Sequence, residues 1–362
     1  MAQERAVLNQ LQAAGYEAYF VGGCVRDGLL GRPVHDWDIT TSALPEQVMK
    51  VFPKCVPTGE KHGTVTVLME GESFEVTTFR SDGVYLDSRH PERVTFVPNL
   101  REDLQRRDFT INAMAMDLAG NVIDPFGGRA DLERRVIRCV GDPETRFRED
   151  ALRMLRAIRF SAQLGFSIAP ETLAAIKTCA ANCRHLSAER VRDEMGKTLL
   201  SDRPDAAAQM ADLHLLSAVG IQRVKPCELA SLPKDRAVRW AGFFRACPEA
   251  NWQTLRLDKK TGEIASRAAQ IAFTCKTRLD WKKLISREGG DTARCAAALT
   301  GDTETVSEIL SSGECLNLAQ LAVSGKDFPE LSGKAVGERL ARLLDHVLEH
   351  PEDNKKEILL KQ

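Results

Sequence analysis

No stretch of the sequence approaches the ~18 consecutive apolar residues that a membrane-spanning helix needs. The opening MAQERAVLNQL lacks the basic segment followed by an apolar core that defines a secretory signal peptide. An excess of one charge is also lacking, since Lys and Arg number 50 and Asp and Glu number 51. We therefore expect a cytoplasmic protein with no membrane partner, which binds any polyanion through local patches of charge.

The ten cysteines are scattered along the chain and include no CxxC pair, so no zinc site of that kind is indicated. Cys179 and Cys183 stand four residues apart, as do His346 and His350. Neither pair has a companion pair that would complete a four-ligand metal site. Reduced and mostly buried thiols are expected.

At 362 residues the chain is long enough for two or three domains, since a domain has ~100 to 200 residues. Its first ~140 residues mix strand and helix patterns, and nearly all later segments have helical periodicity. Residues 80–99 are polar and lack a sustained period, which predicts a mobile loop before residues 111–117 return to the sheet. The predicted helices are 4–14, 25–30 and 45–52, the predicted strands are 18–21, 36–40, 64–69 and 73–79, and a longer helical region begins at Arg148.

A glycine pair marks the first candidate site. Gly22 and Gly23 follow a predicted strand, and Cys24-Val25-Arg26-Asp27 continues into a predicted helix. Backbone N–H groups at such a helix start can face a phosphate, to which Arg26 would add positive charge. A plain strand-to-helix turn is the alternative interpretation.

Two aspartates indicate a metal site. In Asp36-Trp37-Asp38-Ile39 the alternation of a strand directs both carboxylates to one face and both apolar side chains to the other. Two like charges this close repel each other unless a cation lies between them. Because Mg²⁺ takes carboxylate and substrate phosphate oxygens together, we predict magnesium here, with a solvated acidic edge as the alternative.

Two further charged segments extend this candidate site. Glu75 lies opposite Phe74 and Val76 on a predicted strand, so it can supply a third carboxylate or be a surface glutamate. Arg106 and Arg107 precede an apolar segment, where charge-assisted hydrogen bonds can hold a triphosphate. A solvated basic turn is the alternative for this arginine pair.

A helix predicted from Glu149 onward carries the remaining candidates. Asp150 and Arg153 are separated by about 60° around such a helix, so they can act as a side-by-side pair. An ordinary salt bridge between them is the alternative. Arg156 and Arg159 continue the row, which winds round the helix, so they reach phosphates or hold neighbouring elements.

Six segments occur in order along the chain: GGCVRD, HDWDITT, FEVTTFR, YLDSRHPERVTF, RRDFTINAMAMD and REDALRMLRAIRF. Together they resemble the class II tRNA nucleotidyltransferases, the CCA-adding enzymes, over residues 19–166. Weaker similarity continues through Ser187-Ala188-Glu189-Arg190. The same superfamily contains bacterial poly(A) polymerases and specialised CC-adding and A-adding enzymes.

The resemblance implies an α/β head of the polymerase-β-like nucleotidyltransferase type, with a mixed sheet, followed by an all-α neck, body and tail. The implied domains are the head over 1–141, a helical neck that binds nucleobase and RNA over 142–225, and a helical body and tail that bind tRNA over 226–362. Asp36 and Asp38 become Mg²⁺ ligands and catalytic residues, with Glu75 as a third catalytic carboxylate. The implied nucleotide-binding residues are Gly23, Arg26, Arg107, Asp150, Arg153, Arg156 and Arg159.

The implied reaction is template-independent addition of CCA to the 3′ end of tRNA from CTP and ATP, with release of pyrophosphate. Two Mg²⁺ ions would activate the tRNA 3′-hydroxyl, align it on the α-phosphate and stabilise the departing pyrophosphate. Cytosine and adenine each present an amine donor beside a ring-nitrogen acceptor, and uracil and guanine present the reverse. An acceptor at Asp150 beside a donor at Arg153 matches cytosine and adenine.

The helical part is expected to bind the tRNA. Between Trp252 and Gly290, nine Lys or Arg residues stand against four acids, an excess that phosphates could use. A solvated helix face is the alternative. Both a monomer and a homodimer are compatible with the sequence.

Other functions share some of these features. A poly(A) polymerase has the same head but commonly a long basic C-terminal extension, which we do not find here. A non-catalytic RNA-binding protein would have no reason to keep two repelling carboxylates. CC-adding relatives shorten the flexible loop that matches residues 80–99, which favours full CCA addition and leaves A addition alone as an alternative.

Overall fold

The computed structural model describes residues 3–59, 63–82, 94–225 and 228–362. Within these residues the chain begins as an α/β fold and continues as a series of helices. The strands are β1 (Ala18–Val21), β2 (Asp38–Thr41), β3 (Cys55–Gly59), β4 (Thr64–Met69), β5 (Glu72–Thr78), β6 (Arg80–Asp82), β7 (Val94–Phe96), β8 (Ala115–Met116), β9 (Val122–Ile123), β10 (Val136–Ile137) and β11 (Ser167–Ile168).

The helices carry most of the remaining chain. In the first half they are α1 (Gln3–Ala13), α2 (Gly23–Leu29), α3 (Pro45–Val51), α4 (Leu100–Gln105), α5 (Gly128–Arg134), α6 (Pro143–Glu149), α7 (Leu152–Leu164) and α8 (Pro170–Cys179). In the second half they are α9 (Ala188–Leu199), α10 (Ala206–Asp212), α11 (Arg236–Ala246), α12 (Lys259–Ile271), α13 (Arg278–Glu288), α14 (Gly290–Thr300), α15 (Thr303–Ser311), α16 (Lys334–Glu349) and α17 (Lys356–Leu359).

Seven of the described strands form one sheet in the order β3-β4-β5-β2-β1-β8-β9. β2 and β5 are parallel, whereas the other neighbouring pairs are antiparallel. The predicted mixed sheet is therefore confirmed. Because β1 and β2 run in opposite directions, the end of β1 and the start of β2 lie at the same edge of the sheet.

Local sequence signals account for many of the element bounds. Gly15, which has a positive φ, follows α1, and Pro45 occupies the first turn of α3, as expected for proline at a helix start. Asp142 caps α6, because its side chain accepts a hydrogen bond from the backbone N–H of Thr145 at 2.8 Å. Such caps satisfy N–H groups that have no partner within the helix.

Three predicted segments differ from the structure. β2 begins at Asp38 rather than at residue 36. The predicted loop over 80–99 starts and ends as an antiparallel ladder of β6 with β7, and its central residues 83–93 lie outside the described part of the chain. Residues 111–117 were expected to form one strand, but Thr110–Asn112 is a 3₁₀ turn because Asn112 and Ala113 donate to carbonyls three residues back.

A hydrophobic cluster holds α4 against the sheet. Val21, Phe79 and Ala115 from the sheet side contact Leu100 and Leu104 of α4, and all five are buried. Burial of this apolar area fixes α4, and with it the arginine pair that follows, next to the edge where β1 ends and β2 begins.

The chain divides into two compact units, one formed by residues 1–198 with 209–222 and the other by 199–208 with 223–362. The domain division predicted at residue 141 stays a prediction. The second unit has an aromatic core on α11, where the Trp240 ring lies 5.7 Å from that of Phe243 and 5.8 Å from that of Phe244. Among the helices described, none is both long and apolar enough to cross a membrane.

A glycine-to-alanine pair in the second unit tests its packing. A Cβ on Gly262 of α12 would lie 2.5 Å from atoms of the Trp252 ring, whereas one on Gly337 of α16 would meet nothing within 4 Å. Gly337→Ala should therefore raise the free energy of unfolding by about 0.5 to 1 kcal/mol, because alanine favours a helix. Gly262→Ala should lower it by about 1 to 3 kcal/mol through overpacking. Urea unfolding followed by circular dichroism checks the signs, and stabilisation by both variants would contradict the packing.

Candidate active site

The two predicted metal-ligating aspartates lie at the start of β2. Asp38 is the first residue of the strand and Asp36 precedes it in irregular backbone, because β1 pairs with β2 only as far as Ile39. The predicted alternation holds nonetheless, since both aspartates are exposed and Ile39 is buried. Trp37, which stands between the two aspartates, packs on Phe20 with ring centroids 4.7 Å apart. Its side chain therefore points away from their carboxylates.

Glu75 lies directly beside Asp38 across the parallel β2–β5 pair. Both side chains are exposed on the same face of the sheet. Within the described residues, however, no group of three or more His, Cys, Asp or Glu side chains is arranged to hold a metal ion. Glu75 is adjacent to the candidate metal site, and its role as a third catalytic carboxylate stays a prediction.

The electrostatic setting of Asp38 favours an added cation. Asp38 reaches solvent, yet the protein packed around its carboxylate raises its pKa by desolvation, the largest cause. The charge of Arg107 opposes this rise, and the charges of Glu75 and Asp36 add to it. A second positive charge beside Arg107 would relieve the repulsion between the carboxylates.

The turn at Gly22 lies next to both Asp38 and an arginine. Gly22 has φ +75°, and a Cβ there would lie 3.0 Å from Nη1 of Arg107 and 3.6 Å from Oδ2 of Asp38. The sequence pattern marked both glycines and the resemblance selected Gly23, whereas in the structure it is Gly22 that lies next to both Asp38 and Arg107. Nε of Arg107 is buried and has no hydrogen-bond partner in the described residues, so this guanidinium has a donor left for a ligand.

A buried carboxylate fixes the position of Arg107. Asp103 on α4 has no exposed area and accepts hydrogen bonds from Arg106 at 2.8 Å and from Arg107 at 3.4 Å. It also accepts from the Thr40 hydroxyl and from the Arg80 backbone N–H. Desolvation alone would raise the pKa of Asp103. The charges of Arg106 and Arg107, together with hydrogen bonds from Arg106 and from the Arg80 backbone, outweigh it and lower the pKa. Sequence reasoning missed Asp103, although its spacing of three and four residues from the arginines was a helical signal.

Arg26 connects the glycine turn to the segment after α4. It is buried and donates to the Asn112 side chain at 2.7 Å and to Asp27 at 2.7 Å. A Cβ on Gly23 would lie 3.6 Å from its Nη2. Arg26 thus lies beside the turn as predicted, and part of its hydrogen-bonding capacity orients the turn relative to Asn112.

The structure corrects the predicted helix around Asp150. α6 ends at Glu149 and α7 begins at Leu152, so Asp150 lies in extended backbone between two helices rather than on one helix with Arg153. The extended conformation, φ −142° and ψ 104°, breaks the 100° periodicity on which the side-by-side interpretation rested. Oδ1 of Asp150 accepts from the backbone N–H of Leu152 at 3.0 Å, and Oδ2 accepts from Arg190 of α9 at 2.7 Å.

Arg153 holds the segment next to the arginine pair. It is 7% exposed, and it donates to the Glu149 carboxylate at 2.5 Å and to the backbone carbonyls of Arg146 and Arg106, each at 3.0 Å. Much of its donor capacity is therefore committed to the protein. Its role in nucleotide binding stays a prediction.

Arg156 and Arg159 each pair with a buried acid. Arg156 lies 2.6 Å from Asp108 and Arg159 lies 2.5 Å from Glu194. These contacts agree with the part of the prediction in which the two arginines hold neighbouring elements. Burial would raise the pKa of Asp108, but the charge of Arg156 and hydrogen bonds from Asn112 and Arg156 lower it to about 2.

The excess of positive charge predicted between residues 252 and 290 is partly neutralised in the folded protein. Several of its cations pair with acids that lie beyond residue 290 in the sequence. Lys260 lies 3.2 Å from Asp291, and Lys283 lies 2.8 Å from Glu349. Glu314 pairs with both Arg278 and Lys282. A count over a sequence window missed these partners.

Comparisons with known proteins show the family to which the chain is similar. Residues 18–138 match the family described as the poly A polymerase head domain, and residues 165–219 match one described as a probable RNA and SrmB-binding site of polymerase A. The CCA-adding enzyme of Geobacillus stearothermophilus is 42% identical over 94% of this chain and 90% of its own length.

Two solved structures extend the similarity to the fold. The crystal structure of the Bacillus stearothermophilus CCA-adding enzyme in complex with CTP has a TM-score of 0.86 at 37% identity, over 99% of this chain and 95% of that one. The Thermotoga maritima CCA-adding enzyme complexed with tRNA shares the fold, with a TM-score of 0.70 at 22% identity over 99% of this chain and 93% of that one.

A mixed-sheet head with paired carboxylates at one edge, followed by helices, defines a nucleotidyltransferase of the poly(A) polymerase head type. The Geobacillus relative and the CTP-bound structure narrow this class further. With that identity over nearly its whole length, the chain belongs to the family of CCA-adding enzymes.

The Asp108–Arg156 pair predicts a pH-dependent contribution to stability. Because the pKa of Asp108 is about 2 in the folded protein against an ordinary 3.8, its contribution is present above pH ~4 and is lost as the pH falls toward ~2. Asp108→Asn should lower the free energy of unfolding near neutral pH by about 2 kcal/mol and flatten its pH dependence over that interval. Asp193→Asn, at an exposed carboxylate paired with Arg192, is the control. An unchanged pH slope in Asp108→Asn would contradict the assignment.

Proposed function

We propose that this chain adds CCA to the 3′ end of tRNA, using CTP and ATP without a nucleic-acid template and releasing pyrophosphate. The observation that carries the proposal is the convergence of Gly22, Asp38 and Arg107 at one edge of the head sheet, in a chain of the CCA-adding family. The CTP in the related structure supports a nucleoside triphosphate as substrate. The cytoplasm is the location proposed with this function.

The residues at this edge fit a divalent cation. Asp36 and Asp38 offer hard carboxylate oxygens, and the raised pKa of Asp38 reflects desolvation and repulsion from like charges that a cation would offset. Asp36 and Asp38 would hold the ion, and substrate phosphate oxygens would supply further ligands. The family is generally metal-dependent, and Mg²⁺ is the ion proposed here. When bound, it activates the 3′-hydroxyl and neutralises charge on the reacting phosphate.

The chain's own residues position the triphosphate. Arg107, held by Asp103, presents its guanidinium beside Gly22, where only the absence of a side chain leaves room. Gly23 and Arg26 line the same turn. A triphosphate placed against Arg107 lies near Asp38, because both side chains border Gly22. Binding and orientation of this kind supply most of the rate enhancement in phosphoryl transfer.

Base selection is assigned to the segment between α6 and α7. Asp150 is an acceptor that matches the exocyclic amine of cytosine or adenine, and Arg153 is the proposed donor. Uracil and guanine would place an oxygen against the carboxylate, leaving polar groups unsatisfied at about 1 to 3 kcal/mol each. Arg156 and Arg159, anchored by Asp108 and Glu194, complete the nucleotide-binding set.

The domain organisation is proposed on the same basis. The head spans 1–141, the neck 142–225 and the body with the tail 226–362. The segment at 165–219, which matches a family described as an RNA-binding site, supports RNA contacts from the neck. The described helices beyond it are proposed to bind the remainder of the tRNA, as a monomer or a homodimer.

The product of the reaction distinguishes members of the superfamily. Purified protein is given tRNA transcripts that end before, within and one residue short of CCA, with CTP and ATP together and separately, and the products are sequenced. Completed CCA on the shortest transcript is expected. Arrest after two cytidines, addition of A only to a CC end, or long A tails on unrelated RNA would instead identify a CC-adding enzyme, an A-adding enzyme or a poly(A) polymerase.

Carboxylate variants test the metal site. Asp36→Asn and Asp38→Asn should each reduce nucleotide addition by at least about a hundredfold, since metal binding requires the charge. Their affinity for tRNA should stay within a few-fold, because contacts to phosphates elsewhere dominate RNA binding. Substantial Mg²⁺-dependent addition by either variant would contradict the assignment.

The role of Glu75 is tested separately with a matched control. Glu75→Gln should slow addition if this carboxylate contributes to the site, whereas Glu72→Gln, an exposed position on the same strand β5, should not. Equal rates for the two variants and the unmodified protein would remove Glu75 from the catalytic set. Single-turnover addition of CMP to a tRNA transcript is the measurement.

A further inference from the structure

Arg190 belongs to the Ser187-Ala188-Glu189-Arg190 segment, which the proposed function does not use. It lies in the first turn of α9 and donates from Nη2 to Oδ2 of Asp150 at 2.7 Å. The other oxygen of Asp150 accepts from the backbone N–H of Leu152 at 3.0 Å. Each carboxylate oxygen is thus held by one donor, so the plane of the carboxylate is fixed.

This arrangement leaves Asp150 able to accept from a ligand. A carboxylate oxygen can accept two hydrogen bonds, and the side chain of Asp150 is 17% exposed. Without Arg190, only the backbone donor at Leu152 would restrain the carboxylate, so its orientation about χ2 would be held less firmly. The direction in which Asp150 presents its remaining acceptor sites therefore depends on Arg190.

A second observation points to a ligand. Nη1 of Arg190 is buried and has no hydrogen-bond partner among the residues that the structure describes. In a planar guanidinium, Nη1 and Nη2 are bonded to the same carbon, so the unpartnered donor is adjacent to the one that holds Asp150. An acceptor and an unpartnered donor lie side by side at this point, independently of Arg153, whose donors bind Glu149 and two carbonyls.

We infer that Arg190 is a specificity-determining residue, which positions Asp150 for base selection and donates a hydrogen bond from Nη1 to the bound nucleotide. The inference rests on the proposed function, since it assumes that Asp150 selects the base. A purely structural alternative is that the ion pair only fastens α9 to the α6–α7 segment. The two differ in what they predict for the choice among nucleotides.

The test compares three variants of the full-length protein. Arg190→Met removes both hydrogen bonds and keeps most of the side-chain length. Arg190→Lys keeps a charged donor for Asp150 but lacks the second, adjacent donor. Arg192→Met, whose arginine pairs with its neighbour Asp193 on the same helix, is the matched control. Each protein is given tRNA transcripts with CTP, ATP, UTP and GTP singly, and kcat and KM are determined together with thermal stability and tRNA affinity.

Arg190→Met is expected to lower the preference for C over U and for A over G by about tenfold or more. Its affinity for tRNA should stay unchanged. Arg190→Lys is expected to restore most of the preference while the KM for CTP and ATP stays raised several-fold, because only the contact to Asp150 returns. Arg192→Met should resemble the unmodified protein in all four incorporations.

An unchanged nucleotide preference in Arg190→Met, with or without loss of thermal stability, would overturn the inference and leave a structural ion pair. If Arg190→Met does not fold, Arg190→Lys decides, and an unmodified KM and preference in that variant would overturn it. Asp150→Asn, measured in parallel, separates the two hypotheses. Loss of preference in Asp150→Asn alone rejects the role of Arg190, whereas a retained preference in both variants rejects the proposed base selection as well.

Discussion

The buried carboxylate of Asp103 is the interaction on which the candidate site depends. It accepts from Thr40 on β2, from the backbone of Arg80, and from Arg106 and Arg107. Burying an unpaired charge costs several kcal/mol of folding free energy. Because a whole domain is stable by only about 5 to 15 kcal/mol, the folded state requires all of these donors at once. The position of Arg107 beside Asp38 follows from this requirement, because a free arginine has many rotamers and no preference for that one.

The same principle is repeated along the helices that follow the head sheet. Arg153, Arg156 and Arg159 were assigned to nucleotide binding by resemblance, and each pairs with an acid, respectively Glu149, Asp108 and Glu194. An arginine that is already held by an acid loses little side-chain entropy when it meets a phosphate or a base. The ion pairs therefore make the proposed nucleotide site rigid before substrate arrives. They also leave these arginines with fewer hydrogen-bond donors for a ligand.

Ion pairs in the second unit show why counting charges over a sequence window overestimates the positive charge of a surface. Within residues 252–290 the cations outnumber the acids. In the folded chain, however, some of these cations form ion pairs with Asp291, Glu314 and Glu349. Exposed pairs of this kind contribute little stability. They do reduce the local positive potential, so the tRNA-binding surface cannot be located by counting residues along the sequence.

Short-range patterns determined much of this protein. Alternation and glycine boundaries predicted strand 18–21 to the residue, and they placed Asp38 and Glu75 on the correct face, because side-chain direction in a strand depends only on the pleat. Six motifs in order along the chain also indicated the family and the reaction it catalyses. Tertiary structure alone decided that Asp150 lies between two helices and that Gly22 borders both Asp38 and Arg107. It also decided that Asp103 holds Arg107 and that Arg190 pairs with Asp150. Those outcomes depend on hydrogen bonds and packing between segments distant in sequence, for which a local period carries no information.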